Sequence, residues 1–193
     1  MLFPVASFAQ AFTLDGFDLR RHALSSLSLG DLGWLQVGTF VLTGLLAGLF
    51  AVGVRRVLPP GRAAVAGPAL VGVYAVGMVG GGIFRPDPAL GWPAGAPEGL
   101  PEQLSTGSVL HTVAGAAAFL SLIAAALVFA RRFAAEGRPG WAAYSAGSGL
   151  VTFAVTTPPW GAGSESVRFA VGAVLISGWL VAVSLRLRTA HRG

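Results

Sequence analysis

Residues 33–54 read GWLQVGTFVLTGLLAGLFAVGV, an uncharged stretch of 22 residues that ends at Arg55 and Arg56. About 20 predominantly apolar residues are needed to cross the hydrocarbon core of a bilayer, which is about 30 Å thick. The stretch therefore predicts a transmembrane helix with a pair of arginines at one end.

Four further stretches have the same character. With the first one, the predicted spans are 33–54, 63–84, 109–130, 141–157 and 167–185. A shorter apolar segment, residues 2–14, precedes them and is about 20 Å long as a helix. It lacks the basic start and the cleavage site of a secretory signal. We interpret it as a short first transmembrane helix, and an interfacial segment is the alternative.

The composition supports a membrane protein. Of the 193 residues, 54% are hydrophobic and 11% are charged, whereas about a quarter are charged in a soluble domain. The absence of cysteine excludes disulfides and thiolate chemistry. The net charge is +5, but no basic run carries interleaved aromatic residues, so membrane lipids are the expected partner and nucleic acid is not. The predicted fold is a single all-α integral membrane domain over residues 1–193.

The connections between the spans differ in charge, which predicts an orientation. One side carries four arginines against seven acidic residues. The other carries a single acid, Glu136, with nine arginines: Arg55, Arg56, Arg62, Arg131, Arg132, Arg138, Arg186, Arg188 and Arg192. Arginine-rich connections stay in the cytoplasm. With the short first helix counted, the prediction is six crossings with both termini cytoplasmic.

The two long connections, 15–32 and 85–108, lie on the outward side in this topology. The first contains Asp18, His22 and Ser28 among leucines, which we expect to hold it against the bundle. The second opens with Asp87 between two prolines, which restrict the backbone on both sides of the carboxylate. Asp87 is therefore a candidate ligand or hydrogen-bond acceptor, and the alternative is a helix stop in which the carboxylate belongs to a turn.

His111 lies near the start of the span 109–130 and is the second candidate for chemistry. We expect Ser105, Thr106 or Ser108 to cap this helix, which places His111 in its first turn. The positive end of the helix dipole there disfavours the charged imidazolium. A neutral imidazole can polarise a substrate oxygen, and an interhelical hydrogen bond is the alternative. Three charged residues at similar depth are candidate binding residues: Arg85, Glu102 and Arg168.

Small residues recur at spacings of four on the predicted helices. They include Gly44 with Gly48, Gly77 with Gly81, and Ala114 with Ala118. Four further glycines leave room for a neighbouring helix: Gly147, Gly149, Gly172 and Gly178. Such residues let helices approach closely in lipid. They predict contacts within the bundle, and a homo-oligomer through the same faces is an alternative use.

Several stretches resemble the bacterial membrane family called domain of unknown function 998. They are FDLRRH at 17–22, LSLGDLGW at 27–34, GIFRPDP at 82–88, and His111. The resemblance runs from about Phe3 onward. It implies a six-helix protein of the bacterial cell membrane without an established activity, and the first helix here is shorter than usual.

Three functions are consistent with these features. The first is binding of a lipid or a partner through the outward polar cluster. The second is an enzyme that acts on a lipid or lipid-linked substrate with Asp87 and His111 as its catalytic pair. The third is a small transporter subunit, which the absence of a charged residue at mid-span disfavours. No paired-histidine motif is present, so no metal site and no cofactor is predicted.

Overall fold

The computed structural model describes residues 1–157 and 163–190, so Arg192 lies outside the described residues. Within these ranges every named element is a helix, and the connections between helices contain turns and one isolated β-bridge, between Ala89 and Trp92. The elements are α1 (Leu2–Ala11), a 3-10 helix (Leu24–Leu29), α2 (Gly33–Val57), α3 (Arg62–Ile83), α4 (Thr106–Ala135), α5 (Pro139–Thr156) and α6 (Glu165–Ala190).

Each predicted span overlaps one helix, but the helices end where hydrogen bonding ends rather than where apolar residues end. α4 begins at Thr106 because the Ser105 side chain accepts a hydrogen bond from the Ser108 N–H, so Ser105 is the N-cap. It continues through Arg131 and Arg132, since arginine is a good helix former.

α1 is shorter than the predicted segment 2–14. It has 10 residues, and a turn follows Ala11 because the N–H groups of Thr13 and Leu14 both donate to the Gln10 carbonyl. A helix of this length spans about 15 Å, half of a hydrocarbon core. Whether α1 crosses a membrane therefore stays a prediction.

Four helices in the described part are long and apolar enough to cross a membrane: α2, α3, α4 and α6. α5 is not among them, although it has 18 residues, because its first half contains Tyr144, Ser145 and Ser148. The fold is compatible with a helical membrane protein, and the number of crossings stays a prediction.

Helices α2 to α6 pack antiparallel, each against the next along the chain. Glycines permit the closest approaches: a Cβ at Gly44 would lie 2.6 Å from the Ala75 carbonyl oxygen, and one at Gly77 would lie 2.6 Å from that of Ala114. Their predicted packing role is confirmed. For Gly147 and Gly178 a contact within the bundle is wrong, because a Cβ at either position meets none of the described residues within 4 Å.

The bundle has two different ends. We call one the arginine end, because Arg132, Arg138 and Arg186 line a single pocket there. The opposite end carries the connections 12–32 and 84–105, and we call it the loop end. Deep in the bundle, Trp179 is fully buried and donates its indole N–H to Ser145 Oγ at 3.0 Å.

α1 is attached to α2 through buried amides that the sequence analysis did not identify. Gln36 is fully buried, and its Oε1 accepts from Gln10 Nε2 at 2.9 Å and lies 3.1 Å from Ser7 Oγ. Hydrogen bonds of this kind hold helices together where water is absent. The only glutamines within the apolar stretches are Gln10 and Gln36, which was the available signal.

Candidate functional site

The two connections at the loop end form one unit, which we call the cap (residues 12–32 and 84–105). His22 joins them and is 4% exposed. Its Nδ1 accepts from the Asp18 N–H at 2.9 Å, so Nε2 carries the proton and donates to the Leu90 carbonyl at 3.0 Å. Both ring nitrogens are therefore occupied, which leaves none to bind a metal.

Trp92 fills the interior of the cap and is 6% exposed. Its ring meets Phe17 edge-on at a centroid distance of 5.1 Å, and its indole N–H donates to the Ser26 carbonyl at 2.9 Å. Gly30 lies directly beneath the ring, where a Cβ would be 2.8 Å from the indole. Trp92 thus packs the second connection onto the first.

The tight turn 89–92 positions the carbonyl that His22 uses. Leu90 has φ +57° and Gly91 has φ +81°, and the Trp92 N–H donates to the Ala89 carbonyl at 3.0 Å. A left-handed conformation costs a residue other than glycine about 1–2 kcal/mol. The contacts of His22 and Trp92 offset this cost.

Exposed contacts add less to the cap. Arg21 and Glu98 form an ion pair at 2.9 Å, but their side chains are 50% and 82% exposed. Pairs of this kind contribute about 0–1 kcal/mol. Ser166 Oγ donates to the Arg21 carbonyl at 3.3 Å, which connects the cap to α6.

Asp87 joins the second connection to α4. Its Oδ2 accepts from the Ser105 N–H at 2.8 Å, and its own N–H donates to Ser108 Oγ at 3.3 Å. Hydrogen bonds from the Ser105 hydroxyl and then from its amide lower the pKa of Asp87. A carboxylate is also favoured at a helix N-terminus by the helix dipole.

His111, on α4, forms hydrogen bonds with the C-terminal end of α3. Its Nδ1 lies 2.8 Å from the Phe84 carbonyl oxygen and 3.2 Å from that of Gly81. Carbonyls only accept, so Nδ1 carries the proton, and in the neutral ring Nε2 keeps a lone pair. Among the described residues Nε2 has no hydrogen-bond partner.

The position of His111 differs from the prediction. It is the sixth residue of α4, beyond the first turn to which the dipole argument applied. The interhelical hydrogen bond foreseen as the alternative is present, because the last carbonyls of α3 have no partner within their own helix.

His111 lines a cavity of about 350 Å³, which we call the His111 cavity. It lies between α2, α3, α4 and α6, with Leu24 of the cap and Phe3 of α1 also in its wall. The walls are mostly apolar, and His111 is the one titratable side chain that lines it. Gly115 also lines the cavity, and a Cβ there would meet nothing within 4 Å.

A smaller pocket of about 200 Å³ lies deeper, beside the first residues of α1. Thr43 lines it, and the Thr43 Oγ1 is buried without a hydrogen-bond partner. Tyr74 and Ser177 line the same pocket, and Phe3 belongs to the walls of both cavities. No sequence pattern pointed to these hydroxyl groups.

The other candidate residues differ in burial and in their partners. Ser28 belongs to the cap and is buried, with its Oγ donating to the Ser25 carbonyl at 2.8 Å. Arg168 is 17% exposed and lies 3.8 Å from Glu165. Arg85 and Glu102 are exposed, and neither forms an ion pair within the described part of the chain.

The structure therefore joins Asp18 to His22, whereas Ser28, Asp87 and His111 each have different partners. No group of three or more histidine, aspartate or glutamate residues within 1–157 and 163–190 is arranged to hold a metal ion.

One family model, described as "Protein of unknown function (DUF998)", matches residues 1–186 of the chain. Neither a curated protein nor a solved structure matches it.

Proposed function

Because the chain belongs to the DUF998 family, whose function is unknown, we propose its role from the geometry: it binds an apolar, lipid-like molecule in the His111 cavity. The observation that carries this proposal is a largely apolar cavity lined by His111, whose Nε2 has no hydrogen-bond partner among the described residues. Ligand sites are typically apolar concavities with a few polar groups that fix orientation.

The same features define the ligand class. Apolar walls such as Phe40, Met78 and Phe119 favour hydrocarbon. The Nε2 lone pair requires a donor, which a hydroxyl, an amide or a protonated acid supplies. The ligand is therefore a hydrocarbon-rich molecule with a hydrogen-bond donor group.

Binding is favoured over catalysis by the lining of the cavity. Acid–base catalysis on a bound lipid needs a positioned proton donor or acceptor beside His111. No other titratable residue lines the cavity, and the Asp87 carboxylate already accepts from Ser105. The enzyme remains the alternative and requires Asp87 to release that bond.

We place the protein in the bacterial cell membrane as a multi-pass protein with the arginine end in the cytoplasm and the cap outside. The grouping of Arg132, Arg138 and Arg186 around one pocket supports this orientation, because cytoplasmic ends are rich in basic residues. In the six-crossing form, α1 is the short first crossing and both termini are cytoplasmic.

The test is mass spectrometry of molecules extracted from the purified protein. Gly115→Leu fills the cavity without meeting a neighbour at its Cβ, and Gly72→Leu is the matched control, because its Cβ is equally free and it does not line the cavity. We expect a co-purified lipid in the wild type and in Gly72→Leu, and at least about a tenfold loss in Gly115→Leu.

Asp87→Asn separates the alternatives in the same experiment. We expect it to retain the lipid, because Asp87 is not in the cavity wall. A lipid that persists in Gly115→Leu but is lost in Asp87→Asn would overturn the assignment of the cavity. A lipid chemically altered by the wild type and unaltered by Asp87→Asn would favour the enzyme.

A further inference from the structure

The arginine end contains a second site of a different kind. A pocket of about 320 Å³ is lined by Arg132, Arg138 and Arg186 together with Glu136. We propose that this pocket, which we call the Arg132 pocket, binds the phosphate of an anionic phospholipid. It lies at the opposite end of the bundle from the His111 cavity, and it rests on the proposed orientation but not on lipid binding in that cavity.

The charges in the pocket are unequal. Glu136 is the one acid among its lining residues, and it is shared: its Oε1 lies 2.6 Å from Arg132 Nε and its Oε2 lies 3.8 Å from Arg138 Nε. The guanidinium groups of Arg132 and Arg138 exceed the carboxylate by one charge, and Arg186 lines the same pocket. An anion is therefore favoured.

The geometry of Arg132 points the same way. Its side chain is 14% exposed, and its Nε lies 2.6 Å from Glu136 Oε1, so the guanidinium is held in place in the pocket wall. Guanidinium groups bind phosphate oxygens in bidentate fashion.

The surroundings identify the phosphate as that of a lipid. The floor of the pocket is apolar, formed by Leu58, Phe133, Val57 and Leu187. The last two also line a groove of about 310 Å³ between α2 and α6. A phospholipid with its headgroup in the pocket could therefore place an acyl chain in this neighbouring groove. Basic pockets between helices at a cytoplasmic surface are typical sites for anionic headgroups.

The experiment measures binding to purified protein in nanodiscs of phosphatidylcholine with or without phosphatidylglycerol, by native mass spectrometry and thermal unfolding. Arg138→Gln removes a pocket arginine that is 43% exposed, so the fold should tolerate it. Arg131→Gln is the control, because Arg131 is exposed and does not line the pocket.

We expect phosphatidylglycerol to bind and stabilise the wild type and Arg131→Gln, and to bind Arg138→Gln about tenfold more weakly. We expect Glu136→Gln to bind it more tightly, because a competing carboxylate is gone. Equal binding to Arg138→Gln and Arg131→Gln, or equal stabilisation by phosphatidylcholine alone, would overturn the proposal. Stabilisation by inorganic phosphate as strong as that by the lipid would assign the pocket to a soluble anion instead.

Discussion

Two histidines illustrate what decides the chemistry of a residue in this protein. His22 uses both ring nitrogens for backbone groups of the cap, whereas His111 uses only Nδ1. Sequence analysis named both as candidates and could not separate them. The difference depends on which backbone groups each ring meets, and for His22 one of those groups is 68 residues away.

At the residue scale, the first prediction concerns the cap. His22→Phe should lower the free energy of unfolding by about 1–3 kcal/mol, because the Leu90 carbonyl and the Asp18 amide lose a buried partner. Glu98→Gln removes the exposed link between the same connections and should cost less than about 1 kcal/mol. Thermal unfolding in detergent and limited proteolysis within 84–105 measure both. Equal effects of the two substitutions would contradict the role given to His22.

The second residue-scale prediction concerns acid. The pKa of Asp87 is lowered from its ordinary value of 3.8 by the hydrogen bonds from Ser105. The stabilisation is therefore fully present above that value and is lost as the pH falls through the lower pKa of the folded state. The melting temperature of the wild type should fall on acidification below about pH 4, and that of Asp87→Asn should fall less steeply. Parallel curves for the two proteins would contradict this.

At the scale of the helices, sequence and structure agree where composition decides the outcome. Arg55 and Arg56 lie in the last turn of α2, and the apolar stretches before such arginines are helical. The cap was not predictable, because hydropathy carries no information on which loop meets which. Only the leucines of the first connection gave a signal, and Leu24 and Leu27 are indeed buried.

The third prediction tests how the helices approach each other. Gly44→Ala should destabilise the protein by about 1–3 kcal/mol, because its Cβ would lie 2.6 Å from the Ala75 carbonyl oxygen and 2.7 Å from Val79. Gly38→Ala on the same helix meets nothing within 4 Å and should be neutral or stabilising by up to about 1 kcal/mol. Thermal unfolding of the two variants decides. A stable Gly44→Ala would mean that α2 and α3 are farther apart than described.

At the scale of the whole molecule, the two ends of the bundle differ in their polar groups. The loop end is closed by hydrogen bonds and aromatic packing, and the arginine end carries the excess positive charge. The sequence predicted this separation of charge. The sequence analysis paired Asp87 with His111, because both lie near the same helix ends. Their actual partners depend on the register between α3 and α4, which hydropathy does not encode.

The fourth prediction tests the orientation. The chain has no cysteine, so single cysteines report without background. Ala94→Cys in the cap should react with an impermeant maleimide on intact cells, whereas Ala135→Cys at the arginine end should react only after permeabilisation. Both positions are exposed on the protein surface. The reverse pattern of labelling would contradict the proposed topology.

The bond between His22 and Leu90 also has a consequence for biosynthesis. His22 is synthesised first, and the Leu90 carbonyl that it binds follows 68 residues later. At about 5–20 residues per second this delay is roughly 3–14 s. During that interval α2 and α3 are synthesised, while the segment before them still lacks its bond to Leu90. A nascent chain arrested before residue 84 should therefore expose that segment to added protease, and the finished chain should protect it.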